Sequence, residues 1–282
     1  MIAVLGGLGA ALSWAIGTLC SSRSTRMLGA APVLAWVMLT GLALNLVLIV
    51  ALRPPAPSGG GTLGWMAVGG VGNVVGLLLA YSALRVGKVG LVTPITSTEG
   101  ALAAVFSVLA GEALGAATVV VLLVITAGVV LAATAPEEAP VPGERKGLAV
   151  GLAVLAALSF GLSLYATGHV SASVAVGWVL LPPRLVGVLA VTVPLALAGR
   201  LPLTRRATPL VVVAGVAEVV GFASYAVGAR HGLSVAAVLA SQFAVFAGIG
   251  AYVLFRERLT GMQLAGVGTV VVGVAVLSAL RA

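Results

Sequence analysis

Apolar residues run along this chain in long unbroken stretches rather than in alternation with polar ones. Ten stretches stand out, at about 2–20, 32–52, 63–84, 89–110, 114–134, 147–167, 175–198, 208–229, 233–254 and 261–280. Each has the roughly 17–25 residues that an α-helix needs to cross a hydrocarbon core about 30 Å thick. Closed β-barrels also satisfy every backbone polar group in lipid. Their strands would show as alternating segments of about ten residues, and these runs are continuous. The pattern predicts an all-α integral membrane protein with ten transmembrane helices.

The connections between runs are short. The stretch RPPAPSGGGT at 53–62 is rich in Pro and Gly and cannot continue a helix. The most polar segment, APEEAPVPGERK at 135–146, holds three of the seven acids and divides the ten runs into five and five. The halves resemble each other. At a shift of 145 residues, GVGNVVG (70–76) falls on GVAEVVG (215–221), Arg85 on Arg230, Gly87 on Gly232 and Glu112 on Glu257. Near the start of each half, AALSW (10–14) answers AALSF (156–160). Because five is odd, the second half enters the membrane with the opposite orientation. This gives a first five-helix repeat at 1–134, a linker at 135–146 and a second five-helix repeat at 147–282. Inverted-topology repeats of this kind occur in secondary transporters.

Composition agrees with a membrane chain. Hydrophobic residues make up 61% and charged residues 8%, where a soluble domain carries about 25% charged residues. The net charge of +8 does not point to nucleic acid, because the Lys and Arg residues are spread over the connections. Eleven of the fifteen follow runs 1, 3, 5, 7 and 9, and three lie on the opposite side. The positive-inside rule puts the richer side in the cytoplasm and both termini outside. The expected location is the cell (cytoplasmic) membrane, with multiple passes. Cys20 is the single cysteine and His169 and His231 are the only histidines, so neither an intramolecular disulfide nor a His/Cys metal cluster is expected, and no cofactor. The first run lacks a basic leader and reads as a retained span.

Several features together suggest a family. These are the ten spans in two repeats, the Trp in ALSWAIG (11–17), and a Gly-Glu pair at the end of the fourth and ninth runs, in AGEAL (110–114) and, loosely, in FRERL (255–259). The chain resembles the drug/metabolite transporter superfamily, specifically its EamA-type ten-helix members, over nearly its whole length. It departs from the family pattern at Arg256, where the family has the Gly before Glu257. The resemblance implies secondary transport, with export the commoner direction, and cytoplasmic termini, against the local charge bias.

Charged side chains at mid-membrane are costly and usually line a cavity. Three qualify: Glu99, Arg184 and Glu218. Asn73 is the repeat partner of Glu218. Ser241 and Gln242 are the partners of Thr96 and Ser97. Helical spacing puts Glu218, Gly221, Phe222 and Tyr225 on one face, Asn73, Leu77 and Tyr81 on another, and Thr96 with Glu99 on a third. Pro94 precedes Glu99, and Pro182-Pro183 precede Arg184; a proline inside a helix removes a backbone hydrogen bond and bends it. With one cation for two acids, one glutamate is left without a partner. Glu99 and Glu218 are therefore the proton-coupling candidates. A purely structural Arg184–Glu pair is the competing reading. Glu112 and Glu257 read as helix-end residues, and Trp36 and Trp178 as packing or interface residues.

The functional reading is a secondary transporter, with export favoured, that moves a small organic metabolite by alternating access. Arg184 would attract an anionic group. Asn73, Thr96, Ser241 and Gln242 would give hydrogen bonds, and Trp14, Tyr81 and Tyr225 apolar surface. Partners are the small-molecule substrate, the lipid bilayer and protons, with no nucleic acid. One chain suffices as a monomer, and a homodimer is the alternative. The rival function is multidrug efflux of lipophilic cations. A remote one is an intramembrane enzyme, which the absence of Asp and of any mid-span His disfavours.

Overall fold

The computed structural model describes residues 1–87, 89–133, 145–247 and scattered positions between 261 and 276. The described residues are helical, with no strand among them. Six helices are long and apolar enough to cross a membrane. They are α1 (Ile2–Leu28), α2 (Ala30–Leu52), α3 (Gly60–Val86), α7 (Lys146–Ser171), the composite helix Val176–Leu197 and α10 (Thr208–Ala229). Shorter helices among the described residues include α4 (Val89–Thr96), α5 (Glu99–Leu109), α6 (Ala116–Ala133) and α11 (Leu233–Ala240). The linker positions 135–144, Glu257 with its neighbours, and most of the run at 261–280 lie outside the described residues.

Several helices outlast their apolar runs. The run beginning the chain fades near residue 20, yet α1 continues to Leu28 through Ser21, Ser22, Ser24 and Thr25, all buried. Two of the hydroxyls find partners in the helix itself: Ser24 donates to the Cys20 carbonyl at 3.0 Å and Thr25 to that of Ser22 at 3.2 Å. Helix length follows backbone hydrogen bonding, whereas hydropathy marks only the part in lipid. The chain reverses at Gly29, whose φ of +92° is open to glycine at little cost.

Two runs that read as continuous are broken near their centres. Between α4 and α5 the Thr98 amide donates to the carbonyl of Ile95 three residues back, at 3.2 Å, instead of four back. The Thr98 hydroxyl donates to the same carbonyl at 2.8 Å. After α11 the Gln242 amide does the same to Leu239 at 3.1 Å, and the Gln242 side chain donates to the Val238 carbonyl at 2.8 Å. Thus Thr98 and Gln242 occupy equivalent corners, 144 residues apart rather than the 145 read from the sequence. The breaks face each other: a side chain on Gly100 would strike the Ala237 carbonyl and Ser241.

The third irregularity follows Pro182-Pro183. Both prolines sit inside α8 (Val176–Gly187), and the helix then widens into a π segment (Val188–Thr192) before α9 (Val193–Leu197). The Thr192 hydroxyl donates to the Ala35 carbonyl of α2 at 3.1 Å.

The main pairings cross between the halves. α1 packs along α10, and α3 along α7; α5 lies against α7, and α11 against α1; α2 touches α10, and α3 touches α8. Small residues permit this closeness. Gly6 of α1 meets Gly228 of α10, and Gly72 of α3 meets Ser159 and Ser163 of α7. The Ser163 hydroxyl donates to the Gly69 carbonyl at 2.7 Å, and Tyr225 of α10 donates to the Leu164 carbonyl of α7 at 2.7 Å.

Candidate functional site

The residues singled out within the membrane converge in depth. Residue 73 is the midpoint of α3, residue 99 that of the α4–α5 unit, and Trp14 and Glu218 lie within one residue of the midpoints of α1 and α10. All four line one cavity, together with Tyr81 and Thr96. The three inward faces expected from helical spacing all contribute to its wall. Leu77 and Phe222 are there too, as are Thr18, Phe160, Ser163, Leu164 and Phe243. Phe160, Thr18 and Phe243 were not legible as lining residues. Their helices are apolar on every side, so no periodic signal marks the face turned to the cavity.

Four candidates stand outside the wall. Arg184 is fully buried behind Glu218, with 3.8 Å between a guanidinium nitrogen and the Glu218 carboxylate. It reaches there because Gly41 of α2 leaves room: a Cβ on that glycine would meet the Arg184 Nε at 3.1 Å. The guanidinium also lies 5.4 Å over the ring of Phe222, a favourable cation–π distance. Tyr225 spends its hydroxyl on the Leu164 carbonyl and packs its ring 6.3 Å from that of Trp14. Ser241 donates to the Val238 carbonyl at 2.8 Å. Gln242 is buried beside it, its amide nitrogen engaged and its amide oxygen without a hydrogen bond among the described residues.

The wall is aromatic and acidic. Trp14 meets Phe222 at 5.1 Å between ring centroids. Glu99 is buried and makes no side-chain hydrogen bond or ion pair among the described residues. The indole nitrogen of Trp14 and the amide oxygen of Asn73, also on the wall, are buried and make no hydrogen bond among the described residues. Tyr81 is held from α1, its hydroxyl accepting from Ser21 at 3.1 Å.

The cavity extends to one side only. From Asn73 it follows α3 through Leu77, Ala80, Tyr81 and Leu84, toward the membrane face where Arg85 emerges. The other half is closed. There Gly6 and Gly228 bring two backbones together. Trp65 stacks edge-on against Tyr165 at 5.5 Å and lies 5.4 Å from His169, and Phe106 adds a fourth ring. The free volume is only about 70 Å³. Sites for drug-sized ligands measure roughly 300–1,000 Å³. An organic solute therefore needs these helices to part.

Glu112 does different work. It accepts from the Ser234 amide at 3.2 Å, from the Ser234 hydroxyl at 2.6 Å and from the Ser107 hydroxyl. A carboxylate thus caps the N-terminus of α11, where the helix dipole favours negative charge.

Comparison with known proteins gives the frame. The model of the EamA-like transporter family matches residues 1–134. The first half of the chain is thus similar to the EamA-like transporter family. Trp14, Asn73, Tyr81, Thr96 and Glu99 all lie in this EamA-like half; Glu218, Phe160 and Phe243 come from the other. No curated protein matches the chain. One solved structure, described only as "Crystal structure of protein", superposes with a TM-score of 0.78 at 20% identity, covering 99% of this chain and 98% of that one. At that identity the likeness is one of fold. With six helices long and apolar enough to cross a membrane, and a first half that matches a transporter-family model, the chain is a multi-pass membrane protein.

Proposed function

We propose that this protein is a secondary transporter of small organic metabolites that carry a protonated amine, exchanged for protons at Glu99. The observation that carries this reading is the division of charge at mid-membrane. Arg184 is engaged with Glu218 and withdrawn from the wall. Glu99 remains on the wall with no cation of its own. A site of this charge favours a cation over the carboxylated solute that a wall arginine would attract. Trp14, Tyr81, Phe160, Phe222 and Phe243 offer aromatic faces for the ammonium and the apolar body of the solute. Asn73 offers a hydrogen-bond acceptor, and Thr96 a hydroxyl.

The mechanism is alternating access between two inverted five-helix repeats, 1–134 and 147–282, joined at 135–146, with ten spans in all. The helix pairings support it. Exchanging the halves turns the α1–α10 pair into α7–α3, the α4–α7 pair into α11–α1, and the α2–α10 pair into α8–α3. Each image is a pair that occurs. Broken helices in matching positions also suit a midplane site between repeats. We assign export from the cytoplasm across the cell membrane, with Glu99 releasing solute as it takes up an external proton.

Efflux of lipophilic cations with broad selectivity is the second reading, favoured by the five aromatic rings on the wall. Transport into proteoliposomes, driven by an imposed pH gradient, tests both readings with a panel of amines, amino acids, organic acids and lipophilic cations. Gradient-driven movement of small amines that disappears in Glu99→Gln is the expected result. Movement of organic acids alone, or an undiminished pH dependence in Glu99→Gln, would overturn the proposal. Movement of bulky cations in preference to small amines would establish the second reading.

A further inference from the structure

A second concavity lies at the membrane face where α1 and α3 end. It is bounded by Thr25–Leu28 of α1, Gly29–Pro32 at the start of α2, Leu78, Ser82 and Arg85 of α3, and Leu195, Gly199, Arg200 and Pro202 around the end of α9. Its volume is about 760 Å³, ample for a polar headgroup. Arg26, Arg85 and Arg200 line it from three separate elements, and no acidic side chain does. None of the three guanidinium groups takes part in an ion pair among the described residues. The start of α2 adds to the positive field. Gly29 gives that end no side-chain cap, and the first amides of a helix have no partner within it.

This groove is not a vestibule of the central cavity. On α3 the cavity is lined by Leu77, Tyr81 and Leu84, whereas the groove is lined by Leu78, Ser82 and Arg85. Each of these is the next residue along, turned about 100° around the helix axis. The groove therefore faces outward, toward lipid. Its rim is apolar at the same depth: Met27 and Leu78 are exposed, and Leu197 just beyond the rim is 85% exposed. Cations at headgroup level above an apolar, lipid-facing wall suit a molecule with an anionic head and hydrocarbon tails.

We propose that this groove is a binding site for an anionic phospholipid. Arg26, Arg85 and Arg200 surround the phosphodiester, and the acyl chains run down the outer face of α3 and α9. The site does not depend on the transport reading. Each basic residue near a membrane surface contributes roughly 1 kcal/mol toward anionic lipid.

The test uses the full chain in nanodiscs of phosphatidylcholine with a minor share of phosphatidylglycerol. After detergent extraction and washing, the phosphatidylglycerol retained per protein is measured by native mass spectrometry. The wild type is expected to retain it, and Arg26→Gln/Arg85→Gln/Arg200→Gln to retain roughly tenfold less or lower. A control, Arg23→Gln/Arg205→Gln/Arg206→Gln, removes the same charge from residues outside the groove and should retain the wild-type amount. Equal loss in both triple variants would overturn the proposal, because surface charge alone would then account for retention. Retention unchanged in the groove variant would overturn it too. Displacement of the lipid by soluble glycerol 3-phosphate would assign the groove to a free anion instead. Should the groove variant not purify as a single species, the three single substitutions carry the test, each expected to lower retention by about twofold or more.

Discussion

The indole of Trp14 rests on the bare backbone of Gly221, so that any Cβ there would collide with the ring. The same arrangement occurs across the cavity, where Phe160 rests on Gly76. The two glycines are 145 residues apart, and the two rings are 146 apart. Each ring reaches the cavity wall because its glycine gives it room.

Filling either glycine should displace its ring into the cavity. Gly221→Val is expected to cost about 1–3 kcal/mol, the usual range for overpacking, and to abolish transport. Adding Trp14→Ala to Gly221→Val should restore stability more than adding Trp14→Ala to the wild type does. Melting temperatures in detergent, analysed as a double-mutant cycle, measure that difference. Equal effects in both backgrounds would mean that the two residues are not coupled.

The Arg184–Glu218 pair predicts an asymmetric pattern. Removing the cation alone, as in Arg184→Met, leaves a buried carboxylate without a partner and should cost about 3–5 kcal/mol. The double variant Arg184→Met/Glu218→Gln should recover most of that. Failure of the second substitution to recover any stability would show that Arg184 matters through its packing against Gly41 and Phe222.

Capping of α11 by Glu112 gives a third expectation. Glu112→Ala removes the acceptor for Ser234 and Ser107 and should destabilise by about 1–2 kcal/mol, as the loss of an N-cap does. Ser234→Ala should cost less, because the Ser234 amide keeps its carboxylate. Hydrogen exchange of the α11 amides, faster in Glu112→Ala and little changed in Ser234→Ala, checks this.

Orientation can be read with cysteines. In a Cys20→Ser background, Ser58→Cys lies in the connection opposite the arginine-rich side, and Thr204→Cys lies among the arginines. If the charge bias governs insertion, an impermeant maleimide will label position 58 on intact cells and position 204 only after permeabilisation. The reverse pattern would place both termini in the cytoplasm.

Much of the site could be read from the chain because polar residues are rare in it. Asn73, Glu99 and Glu218 stood out as costly in lipid, and the cavity gathers all three. Arg184 stood out for the same reason, but rarity gives no direction. Its placement behind the wall depends on Gly41, a residue on another helix that no spacing rule connects to it. The helix breaks were legible only in part. Pro94 pointed near the first, which falls at Ser97–Thr98; the second, at Ser241–Gln242, has no proline and is shaped by side-chain hydrogen bonds to carbonyls. The aromatic closure of Trp65, Tyr165, His169 and Phe106 combines three helices, and sequence distance hides it.

The crossing of partners between halves bears on how the protein is made. α1 and α3 are synthesised first, yet the helices that cover their small-residue faces, α10 and α7, come from the second half. Until those helices leave the ribosome, Gly6, Gly72 and the mid-membrane amide of Asn73 must wait against lipid or against the insertion machinery. Neither half can complete its own packing, so the final fold is reached only after the last long helices arrive, as a late interlocking of two unfinished bundles.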